Sequence, residues 1–143
     1  MQINRNGSAK WSGGLKDGRG SISTQSKALD DHPYGFAMRF EGVAGTNPEE
    51  LIGAAHAACF TMALSKILGE AGLTADAMET KAVVTLEEKE GGFAITASKL
   101  TLKASIPGAQ QAQFQELAAL AKANCPVSKL LNAQIELAAE LLN

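Results

Sequence analysis

The period of apolar and polar positions changes several times along the 143-residue chain, and each change marks an element. From Ile3 to Ser26 the apolar residues fall in short runs with Thr and Ser, INRNGSAKW and SISTQS, separated by the turn-rich GGLKDGRG. That pattern predicts a hairpin or meander. LDDHPYG follows as a loop. In FAMRFEG, Phe36, Met38 and Phe40 share one alternation set and Ala37 and Arg39 the other, which predicts a half-buried strand with Arg39 turned away from the aromatic face.

A long, almost wholly apolar block follows, NPEELIGAAHAACFTMALSKILGEAG. Its start is legible as a helix: Asn47 caps, Pro48 suits the first helical position, and Glu50 stands at capping-box spacing. Gly69 and Gly72 mark its end. The block is long enough to suggest a membrane span, but His56, Ser65, Lys66 and an Ala-rich composition favour a core helix.

METKAVVTLEEKEGGFAITASKLTLKASIPG predicts two long strands around EKEGG. Val83 falls in the opposite alternation set from Val84 and Leu86, which suggests apolar contact on both faces. Phe93 and Ile95 are out of phase with Leu100, Leu102 and Ile106, so a bulge is expected near Ser98 and Lys99. Between 109 and 123, Phe114, Leu117, Leu120 and Ala121 recur at helical spacing over a Gln-rich face. A short helix should open at CPVSKLL. The tail AQIELAAELLN alternates at Ile135, Leu137 and Leu141 and reads as a strand, against the helix preference of its Ala and Glu. Without repeat, linker or low-complexity segment, one domain over residues 1–143 is expected.

Composition narrows the function classes. With 45% hydrophobic and 20% charged residues the chain has enough apolar content for a core. A net charge of -2, with both signs interspersed, gives no electrostatic footprint for nucleic acid or an anionic membrane. Small molecules and protein partners remain. MQINRNGSAKW lacks the apolar core of a secretory signal, so a cytoplasmic location with reduced thiols is expected, and a structural disulfide is not.

The candidate chemistry lies in two cysteines. Cys59 sits about 18 Å from the helix start, too far for the helix dipole to activate it, and burial in an apolar helix raises a thiol's pKa. It is therefore either a small buried hydrophobe or a nucleophile that needs a cation brought from elsewhere. A guanidinium at about 4 Å, with an effective dielectric near 20, contributes about 4 kcal/mol, roughly a thousandfold in ionisation. Cys125, in NCPVS, precedes a proline suited to a helix start, so it is either a buried cap residue or a thiol at the positive end of a helix. Over sixty residues separate the two, and if they meet, a reversible redox pair is the natural inference. His56, three residues before Cys59, has ligand-like spacing, but two His and two Cys without C-x-x-C or H-E-x-x-H make no zinc motif. It reads as a satisfied or interface histidine. No metal or cofactor is expected, and the glycines of GGLKDGRG are turn residues.

RFEG, GTNPEELIGAAHAACFTMALS and NCPVSKLL, with GSAKWSGGLKDGRGSIST and PYGF before them, closely resemble the OsmC/Ohr family of thiol peroxidases, in particular its osmotically inducible branch. The resemblance spans essentially the whole chain. It implies an α+β fold, antiparallel sheets around a long central helix, and an intertwined homodimer with sites at the shared interface. It implies cysteine-based reduction of organic hydroperoxides, hydrogen peroxide more weakly, with recycling by an external dithiol, lipoylated proteins or small dithiols before thioredoxin. Carried over by motif, Cys59 is the peroxidatic thiol, Cys125 the resolving thiol, Arg39 the activating cation and Glu49 its orienting carboxylate. Glu49 precedes Cys59 by ten residues, about 15 Å of helix, so one guanidinium is not expected to touch both within one helix. A site that combines Cys59 of one protomer with Arg39 and Glu49 of its partner is expected instead. Two other readings stand beside the enzyme: a redox sensor using the same disulfide, and a dimeric stress-binding protein with inert cysteines.

Overall fold

The computed structural model describes residues 1–143, whose contacts group into two units, Met1–Leu51 and Ile52–Asn143. In the first unit, β1 (Gly7–Ser12) and β2 (Arg19–Thr24) form the expected antiparallel hairpin, with Gly7 opposite Thr24 and Ser12 opposite Arg19. The stretch expected as a loop adds a third antiparallel strand, β3 (His32–Tyr34), beside β2. Three residues around a proline carry no readable alternation. Pro33 is tolerated because β3 is an edge, where the missing N–H costs no ladder bond.

FAMRF is not a strand. Phe36–Phe40 is a short helix, α1, in which Phe36 and Phe40 stack with ring centroids 4.9 Å apart. The apolar positions satisfy an i, i+4 pairing as well as an alternation, and over five residues the two periods are indistinguishable. The flanks decide between them: Gly35 caps the N-terminus, and Gly42, at φ +73°, turns the chain out of the helix into a region side chains rarely adopt.

Helix α2 (Pro48–Glu70) begins and ends as its sequence predicts. The Glu50 N–H donates to Asn47 Oδ1 at 2.8 Å, and the Asn47 amide donates back to the Glu50 carboxylate, a side-chain variant of the capping box. At the other end Gly72 is at φ +75°; its N–H donates to the Gly69 carbonyl and that of Leu73 to the Leu68 carbonyl at 2.9 Å. This is the Schellman arrangement, which satisfies carbonyls the helix leaves open.

The second unit is built on a sheet in the order β4 (Ala77–Lys89), β5 (Gly92–Ser105), β6 (Gln134–Leu141). β4 and β5 are antiparallel. Thr85 faces Ala97 while Leu86 faces Ile95, so the extra residue of the bulge is Thr96, ahead of the expected Ser98 and Lys99. The apolar phase only brackets a bulge between Ile95 and Leu100. Val83 is 48% exposed in the chain, so apolar cover reaches one face of β4, through Met78, Ala82, Val84 and Leu86. β6 is the strand its alternation predicts, but it joins β5 in parallel, and this sheet is mixed where antiparallel pairing was expected. The crossover formed by α3 (Gln111–Asn124) and α4 (Pro126–Leu130) returns the chain in the same direction.

The core lies between this sheet and the helices: Phe60, Leu64 and Leu68 of α2 meet Leu100, Leu102 and Ala104 of β5, Ile106, and Phe114 and Ala121 of α3. By length and composition α2 is apolar enough to cross a bilayer; here Gly53, His56, Phe60, Leu64 and Leu68 are its buried stripe. At Gly53 a Cβ would stand 3.2 Å from the Ala82 carbonyl oxygen, so the missing side chain lets α2 approach β4 closely. The fold is α+β, as the resemblance implies.

Candidate active site

Cys59 lies midway along α2, one residue before the fully buried Phe60, and is itself only half-buried. Cys125 is fully buried at the junction of two helices, where it is the last cap of α3 and the first of α4. The two helices turn about it: its N–H donates to the Ala121 carbonyl at 2.9 Å, and its carbonyl accepts from the Lys129 N–H at 3.1 Å. Both thiols are free, and they stand within hydrogen-bonding reach of each other.

Their surroundings divide the proton unequally. Burial pushes the Cys59 thiol up, its hydrogen bond and charge repulsion with the Cys125 sulfur push it further, and only the Val127 N–H opposes this. Burial also resists ionisation of Cys125, but the Cys59 S–H, the Ser128 N–H and hydroxyl and the Val127 N–H outweigh it and bring that thiol down. Within one chain, then, Cys59 keeps its proton. Nothing on α2 beside it reverses that balance, so its activation calls for the external cation that its helix position already required.

An apolar cleft of about 650 Å³ opens at Cys59. Met62, Ala63, Ile67, Leu120 and Pro126 supply its walls, and Lys66, paired with Glu70, stands at its side. A space of this size and polarity accepts a bulky apolar molecule with a single polar group directed at the sulfur.

Arg39 and Glu49 come together in the first unit. Arg39 Nη2 donates to Glu49 Oε1 at 2.6 Å, and Nε lies 3.2 Å from both carboxylate oxygens. Such a forked, charge-assisted contact fixes the plane of the guanidinium, and Nη1 takes no part in it. The Arg39 Cζ also lies 5.4 Å from the Phe40 ring centroid, so α1 holds the cation in place through its own aromatic pair.

His56 is fully buried and satisfied at both ring nitrogens, with Nδ1 2.7 Å from Ser98 Oγ and Nε2 2.8 Å from Ser128 Oγ. Burial lowers its pKa from 6.5, so the folded chain holds the ring neutral under conditions where an unfolded chain protonates it. The stability this site contributes is full above about pH 6.5 and is lost as pH falls below it. The melting temperature of the wild type should fall more steeply from about pH 7 to about pH 5 than that of His56→Gln, as read by circular dichroism. Ser98 and Ser128 did not stand out in the sequence. The one available signal was the spacing of Ser128 three residues after Cys125, which returns a hydroxyl to the cap position.

Comparison with known proteins agrees with this architecture. Residues 41–140 match the family model described as OsmC-like protein. Over 137 residues, 96% of each chain, the sequence is 52% identical to the peroxiredoxin OsmC of Escherichia coli (strain K12). It is 34% identical to the organic hydroperoxide resistance protein OhrB of Bacillus subtilis (strain 168), over 85% of this chain and 88% of that one. The crystal structure of an organic hydroperoxide resistance protein OsmC from Legionella pneumophila superposes with a TM-score of 0.72 at 27% identity, covering 98% of this chain and all of the other.

Proposed function

The chain belongs to the OsmC family, and on that premise we propose that Cys59 is its peroxidatic thiol, Cys125 its resolving thiol, and Arg39 with Glu49 the pair that activates Cys59. It is a peroxiredoxin-type peroxidase of hydroperoxide stress defence. The observation that carries the residue roles is the adjacency of the two free thiols at an apolar cleft. That adjacency supports an enzyme whose sulfurs exchange a bond in every cycle, with organic hydroperoxides preferred over hydrogen peroxide because the cleft walls reward apolar bulk.

The chemistry follows from the roles. The Cys59 thiolate attacks one peroxide oxygen along the O–O axis while the Arg39 guanidinium stabilises the charge leaving on the alkoxide. The alcohol departs and Cys59 becomes a sulfenic acid. Cys125 condenses with it, releasing water, and an external dithiol, a lipoylated protein or a small dithiol, reopens the disulfide. A reducing cytoplasm suits that last step.

Arg39 and Glu49 reach Cys59 in a homodimer. The roughly 15 Å of α2 between Glu49 and Cys59 makes a same-helix encounter unfavourable. Antiparallel packing of two α2 helices about a twofold would present the Arg39–Glu49 fork of one protomer to the Cys59 of its partner. The weakly covered face of α2, with Ala54, Ala55, Ala58 and Met62 exposed, suits that contact.

One equivalent of cumene hydroperoxide added to the reduced protein should yield a species lighter by two hydrogens, with Cys59 and Cys125 joined in one peptide pair on mass spectrometry. Two free thiols persisting after the peroxide is consumed would overturn the pairing.

A further inference from the structure

We propose that His56 is a positioning residue for the resolving step: through Ser128 it sets whether that hydroxyl donates to, or accepts from, the sulfur of Cys125. The inference rests on the assignment of Cys125 as the resolving thiol. It is carried by a chain of buried hydrogen bonds, between Ser98 Oγ and His56 Nδ1 and between His56 Nε2 and Ser128 Oγ, the last on a serine in the turn of α4 that Cys125 caps; Ser98, His56, Ser128 and Cys125 are 1%, 0%, 8% and 0% exposed. An imidazole in this place costs desolvation that an aliphatic side chain would not, and every polar atom of the chain is used.

A neutral imidazole has one N–H and one lone pair, and that constraint links the chain's two ends. With the proton on Nε2, His56 donates to Ser128 Oγ, the Ser128 hydroxyl proton is free to donate to the Cys125 thiolate, and Nδ1 accepts from Ser98. With the proton on Nδ1, His56 donates to Ser98, Ser128 must donate to Nε2, and its oxygen is left to accept the S–H of Cys125. The tautomer of His56 thus follows the protonation of Cys125, so both forms of that thiol find a complete set of partners.

In the resolving step an electron pair of the Cys125 sulfur attacks the sulfenic sulfur of Cys59. The S–S bond forms, the S–O bond breaks, and the departing hydroxide combines with the proton given up by Cys125 to leave as water. A hydroxyl directed at Cys125 favours its thiolate and so speeds the attack. Around Cys125 the titratable groups are Cys59 and, through Ser128, His56, both from α2. The charged side chains on the helices around it are Glu49, Glu50, Lys66 and Glu70 of α2, Glu116 and Lys122 of α3 and Lys129 of α4; Lys66 pairs with Glu70, and none of them hydrogen-bonds to the Cys125 sulfur.

The test is a titration that needs no peroxide. In a Cys59→Ser background, the ultraviolet thiolate absorbance of Cys125 should titrate at higher pH when Ser128→Ala is added, and likewise with His56→Leu. His56→Gln, whose amide N–H stands near the place of Nε2–H, should keep the midpoint close to that of the background. In protein with both cysteines, Ser128→Ala should slow disulfide formation after one equivalent of hydroperoxide by about tenfold at neutral pH, while sulfenic acid formation at Cys59 keeps its rate. The deficit should shrink as pH rises. A titration unmoved by both Ser128→Ala and His56→Leu would overturn the relay. No disulfide in the wild type would overturn the proposed resolving role of Cys125, and the titration arm reads separately from it.

Discussion

Replacing Cys59 by serine should reduce consumption of cumene hydroperoxide, with dithiothreitol as reductant, to the uncatalysed background, a loss of at least about 10⁴-fold. The size follows from the absence of any second route. A hydroxyl at this place is far weaker as a nucleophile than a thiolate, and the only other thiol, Cys125, is fully buried, while Cys59 faces the cleft. Cys125→Ser should behave differently. With no dithiol present it should consume about one equivalent of peroxide at the wild-type rate and stop at the sulfenic acid, which a second equivalent carries to the sulfinic form that a dithiol does not reverse. Following peroxide loss in the three proteins separates the roles; steady consumption by Cys59→Ser would sink the assigned nucleophile.

The second large effect concerns the cation. Arg39→Leu should lower kcat/KM for the same hydroperoxide by about 10²- to 10³-fold, because a guanidinium near a thiolate contributes about 4 kcal/mol at an effective dielectric near 20, partly offset by its own desolvation. Within one chain the balance of burial and hydrogen bonds leaves the proton on Cys59, so the thiolate population should fall with the cation removed. A mixing experiment then locates that cation. Cys59→Ser and Arg39→Leu, each inactive alone, are unfolded together in equal amounts and refolded. If Arg39 serves the partner's Cys59, random pairing makes about half the dimers hybrid, each with one complete site, and about a quarter of wild-type activity returns. If Arg39 serves its own chain, no dimer contains a complete site and activity stays at the level of the parents. The forked Arg39–Glu49 contact predicts a lesser loss for Glu49→Gln, which keeps the guanidinium but loosens its plane.

Much of this was legible in the chain because it rests on neighbours in sequence. Asn47, Pro48 and Glu50 announced the start of α2 and Gly72 its end, since caps are made by residues within a turn of one another. The helix of residues 111–124 and the strand of residues 134–141 followed from sustained periods. FAMRF failed for the opposite reason: five residues do not distinguish a period of two from an i, i+4 pair, and the glycines on either side decided. β3 was missed because three residues around Pro33 have no period to read. The direction of β6 was hidden because alternation is the same in parallel and antiparallel strands.

The sequence by itself determined that Cys59 has no help from its own helix terminus, so that a reactive thiol there needs a cation from elsewhere; that follows from the rise of a helix. That Arg39 and Cys125 serve it is what the family resemblance of their motifs implies. Only the tertiary structure decided that Cys125 lies against Cys59, that Arg39 is locked in a fork with Glu49, and that His56 joins Ser98 and Ser128, which lie 42 and 72 residues further along the chain. The contact with Ser98 depends on how α2 lies against β5, and the contact with Ser128 on which way the crossover of α3 and α4 returns the chain to the sheet; the burial of the whole core sets both.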